Sequence, residues 1–247
     1  MANSKLATYK WGGKTDHYNV RDHKIDRITI HHMAGNLTCE QCANVLQGNG
    51  GSVNYMVDSS GKIGVMIDEQ YRAWTSSSRP NDMRAVTIEV ANDGGAPDWH
   101  VSDKALAALI DLCVDICKRN GITKLNYTGD TSGNLTMHKW FAATGCPEKY
   151  LGGKYPYIAE EVNKRLAAVS APKVLDSSGF KRGDKGVGVL ALKKLLMLSG
   201  ASGLDSSSGF GGGTEKAVNA LLKKWGYKQN GIAGAKFVNK LYKAVTK

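Results

Sequence analysis

Three side chains of the kinds that bind borderline-soft metals stand out in the first two thirds of this sequence. His31 closes an alternating stretch, Ile25-Asp-Arg-Ile-Thr-Ile-His31, on the polar side of what reads as a strand. His138 and Cys146 form a His-x7-Cys pair in the turn-rich segment from Met137 to Pro147. Two imidazoles and a thiolate suit zinc, and three protein donors leave a fourth position for water. Any one of these residues alone is more often structural than a ligand, and the His-x7-Cys spacing matches no standard finger. Glu89 is a candidate proton acceptor: it sits on the polar face of the otherwise apolar strand Ala85-Val-Thr-Ile-Glu-Val90. If that strand neighbours the one ending in His31, carboxylate and imidazole project onto one face of one sheet. The alternative is a solvated carboxylate on an outer face.

The elements that must position these groups are readable by period. Strands are expected at Val53 to Val57 and Ile63 to Ile67, flanking the Ser59-Ser60-Gly61 turn, in addition to the two above. Thr38 followed three residues on by Gln41 is a capping box that opens a helix through Ala43, Val45 and Leu46. The clearest helix runs from an N-cap at Ser102 to Asn120 and stops at Gly121. Its apolar positions Leu106, Leu109, Ile110, Cys113, Ile116 and Cys117 form one buried face, which makes both cysteines small hydrophobes. A later helix is expected at about Ile158 to Ala168. Strands alternating with amphipathic helices indicate an α/β domain, a mixed β-sheet flanked by helices. Cys39-x2-Cys42 lacks a second pair and sits at a helix start, and His32 faces away from His31, so neither enters the candidate site.

Charge separates the chain into two parts. The sequence has 247 residues, 33 Lys plus Arg against 22 Asp plus Glu, and a formal charge of +11. Residues 1–169 carry 19 basic and 18 acidic side chains; residues 170–247 carry 14 and 4, a net of +10. All six histidines and all five cysteines fall in the first part. A Pro/Ser/Gly-rich stretch at 170–179 reads as a linker, and three short amphipathic patterns after it read as a compact helical module over 180–247. No run of 18 apolar residues exists, so membrane insertion is not expected. Met1 to Gly13 lacks an apolar h-region, and the odd cysteine count argues against a disulfide framework; synthesis in a reducing cytoplasm is the expectation. The basic balance raises nucleic acid as a partner, but no helix-turn-helix, finger or aromatic-plus-basic strand pattern supports it.

Four ordered motifs resemble a known family. Ile28-Thr-Ile-His-His-Met-Ala34, Tyr71-Arg-Ala-Trp-Thr75, Ala85-Val-Thr-Ile-Glu-Val90 and His138…Cys146-Pro147 follow the order seen in zinc-dependent N-acetylmuramoyl-L-alanine amidases, the family shared by phage lytic amidases and peptidoglycan recognition proteins. The resemblance covers about residues 20 to 168. It implies zinc held by His31, His138 and Cys146, Glu89 as general base, and bacterial peptidoglycan as substrate. Two departures are present. Thr75 stands where many relatives have a histidine after Ala-Trp, and Thr144 stands where some have a lysine two residues before the cysteine. The resemblance leaves the Thr144 hydroxyl to orient the scissile carbonyl or its oxyanion and Thr75 to contact substrate. It makes Trp74 and Tyr55 secondary candidates for a groove holding sugar or peptide, with core packing the leading role of both.

The C-terminal segment has its own resemblance. Phe180-Lys-Arg-Gly-Asp-Lys-Gly-Val-Gly-Val189, Gly209-Phe-Gly-Gly-Gly-Thr214 and Asn230-Gly-Ile-Ala-Gly234 are similar to the three-helix peptidoglycan-binding domain of wall hydrolases. Together these imply an amidase domain at 1–169 joined by 170–179 to a wall-binding domain at 180–247. The combination looks like a phage or prophage endolysin, made in the host cytoplasm and acting at the wall after release, with anionic wall polymers as a further partner. A bacterial autolysin or sporulation amidase is the variant reading. A non-catalytic peptidoglycan-recognition protein is disfavoured, because loss of a zinc ligand is the usual mark of that branch and this chain retains all three together with Glu89.

Overall fold

The computed structural model describes residues 2–170 and 179–246. The chain divides into two compact units, Met1–Ala168 and Val169–Lys247. Most of the expected linker, 171–178, lies outside the described residues.

The first unit is built on a six-stranded mixed sheet. In chain order its strands are β1 (Tyr9–Lys10), β3 (Arg27–His32), β4 (Tyr55–Val57), β5 (Ile63–Val65), β7 (Ala85–Val90) and β8 (Leu135–Met137). Their spatial order is β1-β5-β4-β7-β3-β8, with only the β4/β5 pair antiparallel. A separate two-stranded sheet pairs β2 (Tyr18–Val20) with β6 (Tyr71–Ala73). The central strand β7 is buried along its whole length, as a parallel strand covered on both faces must be.

The two sheet faces have different chemistry. Ile28, Ile30, Val86, Ile88, Tyr55 and Val57 point to one side, where they pack with α3 (Asp103–Asn120) and α4 (Glu148–Ser170). Thr29, His31, Thr87 and Glu89 point to the other, where α1 (Cys39–Gly48) and α2 (Arg79–Arg84) lie. Beside α1 a second apolar cluster forms from Cys39, Cys42, Ala43, Met56 and Met66. Gly64 permits that close approach, because a methyl group at this position would lie 2.9 Å from Cys39 Cβ.

The helix ends follow local rules. Thr38 and Gln41 form the reciprocal capping box. Ser102 caps α3 by accepting from Ala105 N–H and donates to the Ser59 carbonyl, while Gly121 closes the helix in the left-handed region at φ 71°. Ser102→Ala removes both hydrogen bonds and is expected to lower unfolding free energy by about 1 kcal/mol, read by urea denaturation; an unchanged midpoint would contradict this role for the cap.

Several boundaries differ from those read in the sequence. α4 begins at Glu148, ten residues before the expected Ile158 start, and runs through Gly152, Gly153 and Pro156. Leu151, Tyr155, Ile158, Ala159 and Val162 bury one continuous face, which offsets the helical hydrogen bond that exposed Pro156 cannot donate. The strands expected at 53–57 and 63–67 shorten to β4 and β5.

The second unit holds α5 (Val187–Leu198), α6 (Gly212–Lys224) and α7 (Ala235–Val245) around Val189, Leu192, Leu196, Phe210, Val218, Leu222, Phe237 and Leu241. The Lys193 side chain is buried, with Nζ 2.8 Å from Asp205 Oδ1 and 3.1 Å from the Ser207 carbonyl, which ties the Asp205–Gly209 loop to α5.

Candidate active site

The parallel register of β3 and β7 sets His31 directly beside Glu89. Both lie near the carboxyl ends of the central parallel strands, where open α/β sheets place their sites. His138 follows β8, the neighbour of β3 on its other side, and heads a single 3-10 turn, His138–Trp140. The Lys139 N–H donates to the Cys146 carbonyl at 3.0 Å, folding the intervening loop back so that Cys146 returns to the same spot. Sequence distance is thereby cancelled by one strand pair and one loop closure.

The resulting cluster is tight. One donor atom from each of His31, His138 and Cys146 lies within 4.8 Å of the other two. His31 Nδ1 is 3.6 Å from Cys146 Sγ and 4.0 Å from Glu89 Oε1, and the two imidazole rings have centroids 4.8 Å apart. Buried His31 Nε2, His138 Nε2 and Glu89 Oε2 have no hydrogen-bond partner. Buried polar atoms without partners are rare in folded proteins, and three on neighbouring residues ask for a ligand.

Burial acts on every titratable member. Desolvation pushes the Glu89 carboxyl well above the ordinary carboxylate range. It pushes the His31 imidazolium well below its usual value, helped by His138 and His32, and lowers His138 against a weaker opposing pull from Asp82. The Cys146 thiol is raised, first by burial and then by Glu89. The pocket on its own therefore favours neutral donors, the form in which imidazole binds metal. A divalent cation would stabilise the thiolate that burial disfavours. The donor set, its spacing and its unpartnered atoms fit a zinc-type ion.

A polar floor lies beneath the cluster and was not anticipated as a unit. Thr29 and Thr136 hydroxyls are 2.8 Å apart, and Asn81 Nδ2 donates to Thr29 Oγ1 at 2.9 Å. Buried Asp82 accepts from the Ser76 hydroxyl and from the Thr75 and Ser76 backbone N–H groups. The signal in the sequence was parity: Thr29 with His31, Thr87 with Glu89, and Thr136 with His138 are each two positions apart.

The other candidate residues divide. Trp74 is 38% exposed; its indole N–H donates to Asn19 Oδ1 at 2.7 Å, and the His17 ring stacks on it at 5.6 Å. The Thr75 hydroxyl donates to the Ser52 carbonyl at 2.7 Å and lies 2.9 Å from Thr87 Oγ1, on the strand that carries Glu89. Thr144 is exposed, and its Oγ1 accepts from the Cys146 N–H at 3.2 Å, leaving its own proton free. Tyr55 is not part of the site. Its neighbour Met56 is the residue opposite Glu89, so Tyr55 points to the apolar side, fully buried, with its hydroxyl donating to Glu69 Oε2. His32 faces away from the cluster, with Nδ1 3.1 Å from Asn92 Oδ1. Cys39, Cys42, Cys113 and Cys117 are buried free thiols.

Comparison with known proteins supplies a family. A model of the N-acetylmuramoyl-L-alanine amidase family matches residues 21–149, just over half of the chain. No curated protein matches the sequence. Among solved structures, PlyL superposes with a TM-score of 0.51 at 17% identity, covering 64% of this chain and 97% of that one. The amidase LysC from Clostridium intestinale URNW gives 0.48 at 19% identity over 64% and 96%. The Drosophila peptidoglycan recognition protein SA gives 0.43 at 18% over 56% and 82%. The PlyL superposition shows the shared fold.

Proposed function

The chain belongs to the N-acetylmuramoyl-L-alanine amidase family, and from that premise we propose that His31, His138 and Cys146 hold a zinc ion beside Glu89 as general base. The substrate bond is the amide between N-acetylmuramic acid and the L-alanine of the stem peptide. The observation that carries this reading is the cluster of three metal-type donors with the buried Glu89 carboxylate beside it, one oxygen 4.0 Å from His31 Nδ1 and the other without a partner. A zinc ion held there supplies Lewis acidity to the amide carbonyl and to the attacking water.

The chain's own groups do the rest. Glu89 Oε2 accepts a proton from the attacking water and returns it to the departing alanine nitrogen. Its burial raises its proton affinity toward the range where it can do both. The free Thr144 proton is offered to the carbonyl oxygen, whose charge grows as the carbon becomes tetrahedral. Trp74, fixed by Asn19 and His17, walls the groove for sugar or peptide, and Thr75 contributes a hydroxyl beside β7. The opposite face of β3, packed by α3 and α4, keeps His31 in place.

The second unit, with its +10 charge in 170–247, serves in this reading as an anchor on peptidoglycan and on anionic wall polymers. Amidase and anchor together suit an endolysin that lyses a bacterial wall from within. Among the described residues no helix is long and apolar enough to cross a membrane.

The test is digestion of purified walls, scored separately for new N-terminal alanine and new reducing sugars, with and without a chelator. New alanine amines that vanish on chelation and return with zinc are expected. Reducing ends without new alanine amines would overturn the proposal.

A further inference from the structure

The second unit carries a charge pattern that amide hydrolysis does not use. From Lys216 to Lys247 the sequence holds eight lysines and no aspartate or glutamate. Lys223, Lys224 and Lys228 lie at the end of α6 and in the turn beyond it; Lys236, Lys240 and Lys243 lie on α7. All six are exposed, and among the described residues none forms an ion pair; the unit's ion pairs use Arg182 and Lys193 instead.

The α7 lysines fall at i, i+4 and i+7, so they share one side of the helix, about 6 and 4.5 Å apart along its axis. Lys240 brings the two groups together: its Nζ lies 5.0 Å from the Trp225 ring centroid and 5.0 Å from that of Tyr227, both at the α6–α7 turn. Tyr227 is 53% exposed, so its ring is open to a ligand. Trp225 packs inward on Phe237 at 5.2 Å, which holds the platform rigid.

Helix physics explains only part of this arrangement. Lys223 and Lys224 complement the carboxyl end of α6. Lys236, by contrast, stands in the first turn of α7, where the macrodipole disfavours a cation. Six like charges without internal counter-ions repel one another, a cost that an external polyanion removes.

We propose that this lysine face around Trp225 and Tyr227 binds the phosphodiester-linked polymers of the bacterial wall, polymers of the teichoic-acid type. Phosphates meet the ammonium groups, and the C–H faces of the intervening polyol or sugar lie on the exposed ring. Cations about 5 Å apart along a helix match a chain charged at every monomer better than the carboxylates of stem peptides, which are separated by whole disaccharides. The choice of a wall polymer over nucleic acid rests on the amidase reading above.

The full chain is incubated on ice with purified walls, either intact or stripped of phosphate-linked polymers by hydrofluoric acid, and bound protein is sedimented before hydrolysis begins. The unmodified chain is expected to bind stripped walls about tenfold more weakly, as does Lys236→Glu/Lys240→Glu on intact walls. Lys5→Glu/Lys14→Glu makes the same change in net charge at exposed positions of the first unit, and is expected to bind intact walls as the unmodified chain does. Circular dichroism checks folding, and Lys236→Gln/Lys243→Gln, which spares the ring contacts of Lys240, should weaken binding about threefold. Equal binding to intact and stripped walls, a loss shared by the first-unit variant, or displacement from walls by duplex DNA at equal phosphate concentration would each overturn the proposal. Alanine release by the unmodified chain, measured in parallel, reports on the amidase reading separately.

Discussion

Glu89→Gln is expected to cut turnover about 10²–10⁴-fold, the range over which a positioned acid–base group acts, while leaving metal content unchanged. The substitution preserves volume and both hydrogen-bonding positions on a strand buried from end to end, so the fold has no reason to yield. What it removes is the ability to take a proton. His31, His138 and Cys146 retain their donor atoms, and the metal measured by elemental analysis should match that of the unmodified chain. A Gln variant that hydrolyses muramoyl-alanine amides at the original rate would remove Glu89 from the mechanism. The pH profile gives an independent reading. A general base works only when deprotonated, and burial raises the Glu89 pKa above the ordinary carboxylate value of 4.5. The acidic limb of kcat/KM should therefore lie above that value, with activity falling as pH drops through it, and should disappear from the residual activity of the variant.

Much of this site was legible because it obeys short-range rules. The alternation in Ile25–His31 and Ala85–Val90 placed His31 and Glu89 on the same kind of face, and their pairing then needed only that the strands be neighbours, which parallel register supplies. The caps at Thr38 and Ser102 were equally local. What escaped depends on partners far along the chain. β8 has three residues, too few to show a period, and is a strand only because β3 offers its edge. α2 has six residues and packs its polar Asn81 and Asp82 inward, the reverse of an amphipathic pattern, because the face it covers is a floor of threonines. Tyr55 packs in the core, the leading reading for it, because the β4–β7 register sets it beside Ile88 rather than beside Glu89. The early start of α4 also escaped, because Gly152, Gly153 and Pro156 have poor helix propensities that a full apolar stripe outweighs.

Removing one metal donor should produce a different failure from removing the base. Cys146→Ser keeps nearly the same shape but replaces a thiol with a hydroxyl of far weaker affinity for a borderline-soft ion, and His138→Ala deletes a donor outright. Losing even a group that merely orients a ligand costs roughly 10–100-fold in metal affinity, so losing a ligand itself is expected to cost more. Both variants should purify without stoichiometric zinc and release no alanine at ordinary metal concentrations. Stability supplies a readout that does not pass through catalysis. An ion that binds only the folded chain stabilises it by about 2.7 kcal/mol at 100 times its Kd, which for a unit of this size corresponds to about 5 to 10 °C in Tm. Zinc should therefore raise the Tm of the unmodified chain and of Glu89→Gln alike, and leave Cys146→Ser and His138→Ala near their metal-free values. The metal-free variants themselves should not unfold, since His138 is only partly buried and the strands beneath it are held by the Thr29–Thr136–Asn81 hydrogen bonds. Full zinc stabilisation in Cys146→Ser would place the ion elsewhere and dissolve the three-donor centre. Stabilisation lost in Glu89→Gln as well would make the carboxylate a ligand in place of a base.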